Sequence, residues 1–276
     1  MDRNESLNNY NFSNPIDLIL LKKMEGGIAL LTLNSPPLNL FSLEMTRALG
    51  WKLHEIANDQ DIRCLVITGA GDNCFGAGSD IKEFPELIET KTVIERKLKY
   101  EMEVHDYLQN LPQPTIAALK GIALGGGLEL ALCCDLRIMA KDSYLGFPEI
   151  NLGVYPGTGM ILLPNLIGET RAKELLYLGK TISANEALQW GLVNKVAPKQ
   201  DVIEIAIKLA REIASHPFVT VKIIKRGFKM VHETEKPRKE KINICLNLSE
   251  KVFSTIDAKE AIYAFIEKRK AKFIHR

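Results

Sequence analysis

No two of the five cysteines in this 276-residue sequence are spaced as CxxC. Cys64, Cys74, Cys133, Cys134 and Cys245 form an odd set, which argues against a disulfide framework and predicts reduced thiols in a cytoplasmic, reducing compartment. There is no GxxxxGKS or GxxxxGKT run, and no GxGxxG following a strand, so loops that cradle nucleotide phosphates are disfavoured. GxSxG and HExxH are absent too. The histidines (His54, His105, His216, His232 and His275) lack ligand spacing and read as surface residues, so no metal is expected. A net charge of only +2 gives no reason to expect nucleic acid or an anionic membrane as partner.

Long apolar runs are missing as well. The most hydrophobic span, residues 116–134, is broken by Lys120, Glu129 and several glycines, which excludes a membrane-crossing reading. The opening "MDRNESLNNYNFSNP" has no apolar stretch and one basic residue, so residues 1–14 read as a disordered lead-in, neither secretory signal nor transit peptide. What remains is an ordinary globular composition, 46% hydrophobic and 25% charged, with ample length to bury a core.

Local patterns then set the organisation. "IDLILLKK" and "IALLTL", separated by Glu25-Gly26-Gly27, predict a β-hairpin. Ser42 predicts an N-cap for a helix over about 43–57, with Met45, Leu49, Leu53 and Ile56 on one face. "CLVIT", "TIAALK" and "LRIMA" read as strands, 91–110 as a long polar helix, and 125–134 as a helix entered from a turn. That alternation predicts an α/β core of mostly parallel strands over 15–200. After about residue 170 strand signals thin out, and 201–276 reads as a helical region. Its basic tract, 222–241, carries three glutamates and few aromatics, and reads as a solvated helix face.

Three glycine-rich turns stand out, at 69–81, 121–129 and 146–159. Glycine costs about 1 kcal/mol in a helix interior relative to alanine, so the run Gly125-Gly126-Gly127 predicts close approach to backbone or N–H groups exposed at a helix start. Glu129 and Glu149 lie in apolar, glycine-rich settings. Taken singly, each reads as a helix or loop acid. Taken with the glycine turns, they supply the parts for proton transfer beside a thioester: paired carboxylates and backbone oxyanion donors.

The segments "PTIAALKGIALGGGLELALCCDLRIM", "FPEINLGVYPGTG", "TGAG..CFGAGSDIKEF", "GKTISANEALQWGLVNKV" and "FSTIDAKEAIYAFIEKRKAKF", in this order, resemble the enoyl-CoA hydratase/isomerase (crotonase) family. The resemblance implies a spiral of ββα units with a C-terminal helical trimerisation region, assembled as a trimer or a dimer of trimers. It also implies an oxyanion hole from the N–H groups of Ser79 and Gly126, Glu129 and Glu149 as the catalytic acids, and Gly157 as a residue that positions water. Lys82, Phe265 and Lys268 match positions that contact coenzyme A, which is part of the substrate; no separate cofactor is implied. The implied activity is hydration of a trans-2-enoyl-CoA in fatty acid metabolism. The alternatives are a Δ3,Δ2-enoyl-CoA isomerase or other acyl-CoA chemistry, and a non-catalytic CoA- or RNA-binding homologue. Two positions depart from the family pattern. Ser79 replaces the usual alanine, a change expected to be silent because the N–H remains. "GTGMILLP" (157–164) replaces glycine-threonine-glutamine-arginine-leucine beside the acyl pocket, so the acyl chain is not assigned.

Overall fold

The computed structural model describes residues 18–232 and 238–275; the expected lead-in over 1–14 lies outside them. β1 (Ile19–Met24) and β2 (Ile28–Leu33) form the predicted antiparallel pair, with Gly26 and Gly27 at φ +88° and +77° in the turn. Helix α1 (Leu43–Asn58) starts where Ser42 accepts a hydrogen bond from the Met45 N–H at 3.0 Å, and it buries Met45, Leu49, Leu53 and Ile56.

The chain then repeats one pattern: a longer buried strand, a short strand, and one or more helices. β3 (Cys64–Gly69) and β4 (Cys74–Gly76) precede α2 (Phe84–Glu89) and α3 (Lys99–Gln109). β5 (Thr115–Leu119) and β6 (Ile122–Leu124) precede α4 (Gly126–Cys133). β7 (Leu136–Ala140) and β8 (Tyr144–Gly146) precede α5 (Gly157–Ile167) and α6 (Glu169–Leu178). Further along come β9 (Thr181–Ser183), α7 (Ala184–Gln189) and β10 (Lys195–Ala197). The longer strands and β10 make a six-stranded sheet, β1-β2-β3-β5-β7-β10, parallel from β2 onward. The short ones make a second sheet, β4-β6-β8-β9.

Helix α8 (Val202–Ala214) shows how the sequence fixes this packing. Val202, Ala206, Ala210 and Ala214 recur every fourth residue and are buried. The alternate strand residues Cys64 and Val66, Ile116 and Ala118, Ile138 and Ala140 lie in the same core cluster. Small side chains on one helix stripe let it lie close to one sheet face. The opposite strand residues, Leu65, Ile67, Ala117, Leu119 and Met139, belong to the main core with α1 and α4. Helices α9 (Phe218–His232), α10 (Arg238–Phe253) and α11 (Ile256–Ile266) form the predicted helical end, and the basic tract spans the first two of them, with 233–237 outside the described residues.

The structure corrects three expectations. The segment over 91–110 is a π-helical stretch, Val93–Leu98, leading into α3, and Lys97 within it is fully buried. Strands do continue past residue 170, as β9 and β10. His105 is a buried residue and not a surface one: its Nδ1 lies 2.9 Å from the Thr158 hydroxyl, and burial lowers its pKa to about 4. No helix among the described residues is long and apolar enough to cross a membrane, and none of their acidic, histidine and cysteine side chains cluster as a metal site. Cys64, Cys74, Cys133 and Cys134 are free and buried, with thiol pKa values pushed up by desolvation.

Candidate active site

The three consecutive glycines do three different jobs. Gly125 turns the chain from β6 into α4 at φ +52°, and its N–H donates to the Gly146 carbonyl at 3.0 Å. A Cβ on Gly125 would lie 2.5 Å from Oε1 of Glu149, so glycine here makes room for that carboxyl group. At Gly127 a Cβ would fall 2.0 Å from the Gly76 carbonyl, so glycine here permits α4 to pack against β4. Gly126, between them, is different. A Cβ there meets nothing closer than 3.7 Å; its nearest neighbours would be Gly78 Cα, Ser79 N and Glu129 Oε2. The space beside Gly126 has room for one methyl-sized group and is bounded by a backbone nitrogen and a carboxylate.

Ser79 and Gly126, the two sequence-predicted oxyanion donors, are therefore neighbours, with Ser79 N 3.8 Å from a would-be Cβ on Gly126. Gly126 opens α4, where N–H groups have no intrahelical carbonyl to meet. Ser79 forms a parallel bridge with Phe41, in which the Phe41 N–H donates to the Gly78 carbonyl (2.9 Å) and the Asp80 N–H donates to the Phe41 carbonyl (3.0 Å). In a parallel bridge the flanking residues make the bonds, so the N–H of Ser79 itself points away from Phe41.

Glu129 sits in the first turn of α4, its N–H bonded to the Gly125 carbonyl at 2.9 Å. Its Oε1 accepts from the Gly159 N–H at 2.7 Å, so the carboxylate caps the start of α5. That donor and the helix dipole favour the ionised form. Burial, together with the nearby charges of Glu149 and Glu101, outweighs them and raises the Glu129 pKa to about 7. Glu149 lies on the 3-10 turn Pro148–Leu152, and desolvation raises it to about 7 as well. Its Oε2 is buried with no hydrogen-bond partner among the described residues. Two carboxyl groups poised near neutrality thus flank Gly125 and Gly126.

Gly157 is the first residue of α5, and a Cβ there would meet Met102 Sδ at 3.1 Å. Lys82, on the 3-10 turn Ile81–Glu83, and Lys268, past the end of α11, are both exposed and form no ion pair with a described residue. The side chain of Phe265 lies outside the described residues.

Sequence reasoning missed what α3 contributes. The Ser79 hydroxyl donates to Glu101, at 3.2 and 3.3 Å from its two oxygens. Glu101 pairs with Lys97 at 3.1 Å, and Lys97 also reaches Glu83 at 3.0 Å and the Phe41 carbonyl at 2.5 Å. Lys97, Glu101 and His105 are spaced at i, i+4, i+8, beside the apolar stripe Tyr100, Val104 and Leu108. That adjacency was the available signal: polar residues next to an apolar stripe are carried inward with it.

The model for the family described as enoyl-CoA hydratase/isomerase matches residues 23–276. A short-chain-enoyl-CoA hydratase of Clostridium acetobutylicum is 38% identical over 91% of this chain and 95% of its own length. A crotonyl-CoA hydratase of Syntrophomonas wolfei is 36% identical over 94% and 98%. Among solved structures, an enoyl-CoA hydratase from Bacillus anthracis superposes with a TM-score of 0.88 at 35% identity, covering 94% of this chain and 100% of that one. The longer-strand, short-strand, helix repeat described above is thus the crotonase-type spiral that the sequence motifs led one to expect.

Proposed function

This chain belongs to the enoyl-CoA hydratase/isomerase family, and from its glutamate pair we propose that it is an enoyl-CoA hydratase, adding water reversibly to a trans-2-enoyl thioester. The observation that carries this reading is the placement of Glu129 and Glu149 on either side of Gly125 and Gly126, each with a pKa near 7. In its ionised form Glu129 removes a proton from water, and the water oxygen bonds to the β-carbon. The double-bond electrons move toward the thioester carbonyl, and the resulting enolate oxygen rests on the N–H groups of Ser79 and Gly126. Protonated Glu149 then delivers its proton to the α-carbon. Gly157, at the start of α5, helps position the water. The addition involves no net electron transfer, so CoA enters only as part of the substrate. Lys82, Phe265 and Lys268 are the proposed CoA contacts. The test is a panel of enoyl thioesters with purified protein, following loss of enoyl absorbance and the product mass.

This mechanism needs one proton on the pair. Below about pH 7 both carboxyls carry a proton and no base remains; above it both lose their protons and no acid remains. His105 stays neutral across this range, since burial holds its pKa at about 4. The expected kcat/KM–pH profile is therefore a bell with its maximum near neutrality, and a profile still rising steadily to pH 9 would contradict the assignment.

We propose the same assembly as the motifs implied, a trimer or a dimer of trimers. Supporting it, Phe253, Ile256, Ile262 and Ile266 at the helical end are all exposed in the single chain. Light scattering at micromolar concentration should give a trimer or hexamer; a stable, active monomer would refute this.

A further inference from the structure

The segment that carries the Ser79 N–H is held from two sides by one buried cluster. On one side, Lys97 is fully buried and has a partner for each of its three donors: Glu83 at 3.0 Å, Glu101 at 3.1 Å and the Phe41 carbonyl at 2.5 Å. That same carbonyl accepts from the Asp80 N–H, so Lys97 grips the strand that Ser79 bridges to. On the other side, the Ser79 hydroxyl donates to Glu101. Glu83 anchors the far end: its two oxygens accept from the Leu43 N–H at 2.9 and 3.0 Å, tying the cluster to the start of α1. An ion pair inside protein is expensive to desolvate and is a poor source of net stability. Here it restrains one short backbone segment, residues 78–80, at both faces.

We propose that Glu101 is a positioning residue: through the Ser79 hydroxyl it fixes the orientation of the Ser79 N–H that binds the thioester oxyanion. The inference rests on the oxyanion-hole reading above. It also gives the serine a role that an alanine could not fill, contrary to the expectation that its side chain is silent. Glu101 touches no reacting atom. Acting through the serine, it matters most where negative charge develops on the thioester oxygen, because a misdirected donor loses most there.

The test separates charged from neutral thioesters. Acetoacetyl-CoA forms an enolate that absorbs in the near ultraviolet and places an oxyanion in the hole, whereas butyryl-CoA presents only a neutral carbonyl. In the full chain, Ser79→Ala and Glu101→Met should each weaken enolate binding about tenfold, the scale of a hydrogen bond to a charged group. Butyryl-CoA affinity should fall by much less, since a neutral carbonyl accepts a weaker hydrogen bond. Ser79→Thr, which keeps a hydroxyl, and Glu101→Gln, which keeps an acceptor oxygen, should restore most of the loss. The Ser79→Ala/Glu101→Met double variant should bind no more weakly than the weaker single, because both remove the same contact. Additive losses, equal losses for the two thioesters, or no loss at all would overturn the proposal. If Glu101→Met does not fold, the Ser79→Ala and Ser79→Thr pair probes the same contact without disturbing the buried lysine. Wild-type turnover of crotonyl-CoA, measured alongside, separates the two readings: hydration without coupling removes only Glu101's role, and enolate coupling without hydration removes only the hydratase reading.

Discussion

Replacing Glu149 by Gln is expected to slow hydration of an enoyl thioester by on the order of 10²–10⁴-fold, with substrate affinity little changed. Glutamine has the same shape, so it can keep its place against Gly125, where the carboxyl group now lies within 2.5 Å of a would-be Cβ. It has no acidic proton to give. Glu129→Gln is expected to cost a comparable factor, and for a reason that leaves the fold intact. The amide oxygen can still accept from the Gly159 N–H, so the start of α5 stays capped while the base is lost. The measurement is kcat and KM for crotonyl-CoA, with circular dichroism as a control on folding. Full hydration by either variant would end the two-carboxylate account. Loss of hydration in Glu129→Gln with double-bond migration retained would instead point to the isomerase.

Gly126→Val is expected to lower turnover by roughly 10²-fold or more while leaving secondary structure and oligomer size near wild type. The contrast with its neighbour makes this informative. At Gly127 a Cβ would collide with the Gly76 carbonyl, and backbone would have to move. At Gly126 a Cβ stands 3.7–3.9 Å from its surroundings, in ordinary van der Waals contact with Gly78 Cα, Ser79 N and Glu129 Oε2, and no backbone collision is met. The methyl groups of a valine there would occupy the place where the thioester carbonyl meets its donors. Gly127→Ala should show the reverse pattern, with lost stability as the primary defect. A folded Gly126→Val protein with full activity would remove Gly126 from the oxyanion hole.

Local chemistry was legible wherever a single short pattern determines the outcome. Ser42 as N-cap, the Gly26-Gly27 turn and the 3.6-residue stripe of α1 appear where the sequence places them. The glutamates were legible as acids in apolar, glycine-rich turns, and both lie where burial raises their pKa. The second sheet was not. β4, β6, β8 and β9 are three residues each, too short for alternation to show, and β4 lies inside what reads as one glycine-rich loop. Nor was the α3 cluster. A lysine, a glutamate and a histidine in a charged segment read as solvated surface, and only tertiary packing of the adjacent Tyr100, Val104 and Leu108 turns them inward. The same gap hid the role of Ser79, whose partner Glu101 lies 22 residues away in sequence.

The central claim is that water adds across the enoyl double bond at the Glu129 and Glu149 pair. It is tested most directly by incubating the wild-type protein with trans-2-butenoyl-CoA in oxygen-18 water and weighing the thioester product. The account predicts a 3-hydroxy thioester heavier by one water, with the heavy oxygen on the β-carbon, formed at least about a hundredfold more slowly by the Glu129→Gln variant. A thioester of unchanged mass, either untouched or with its double bond moved, would contradict it.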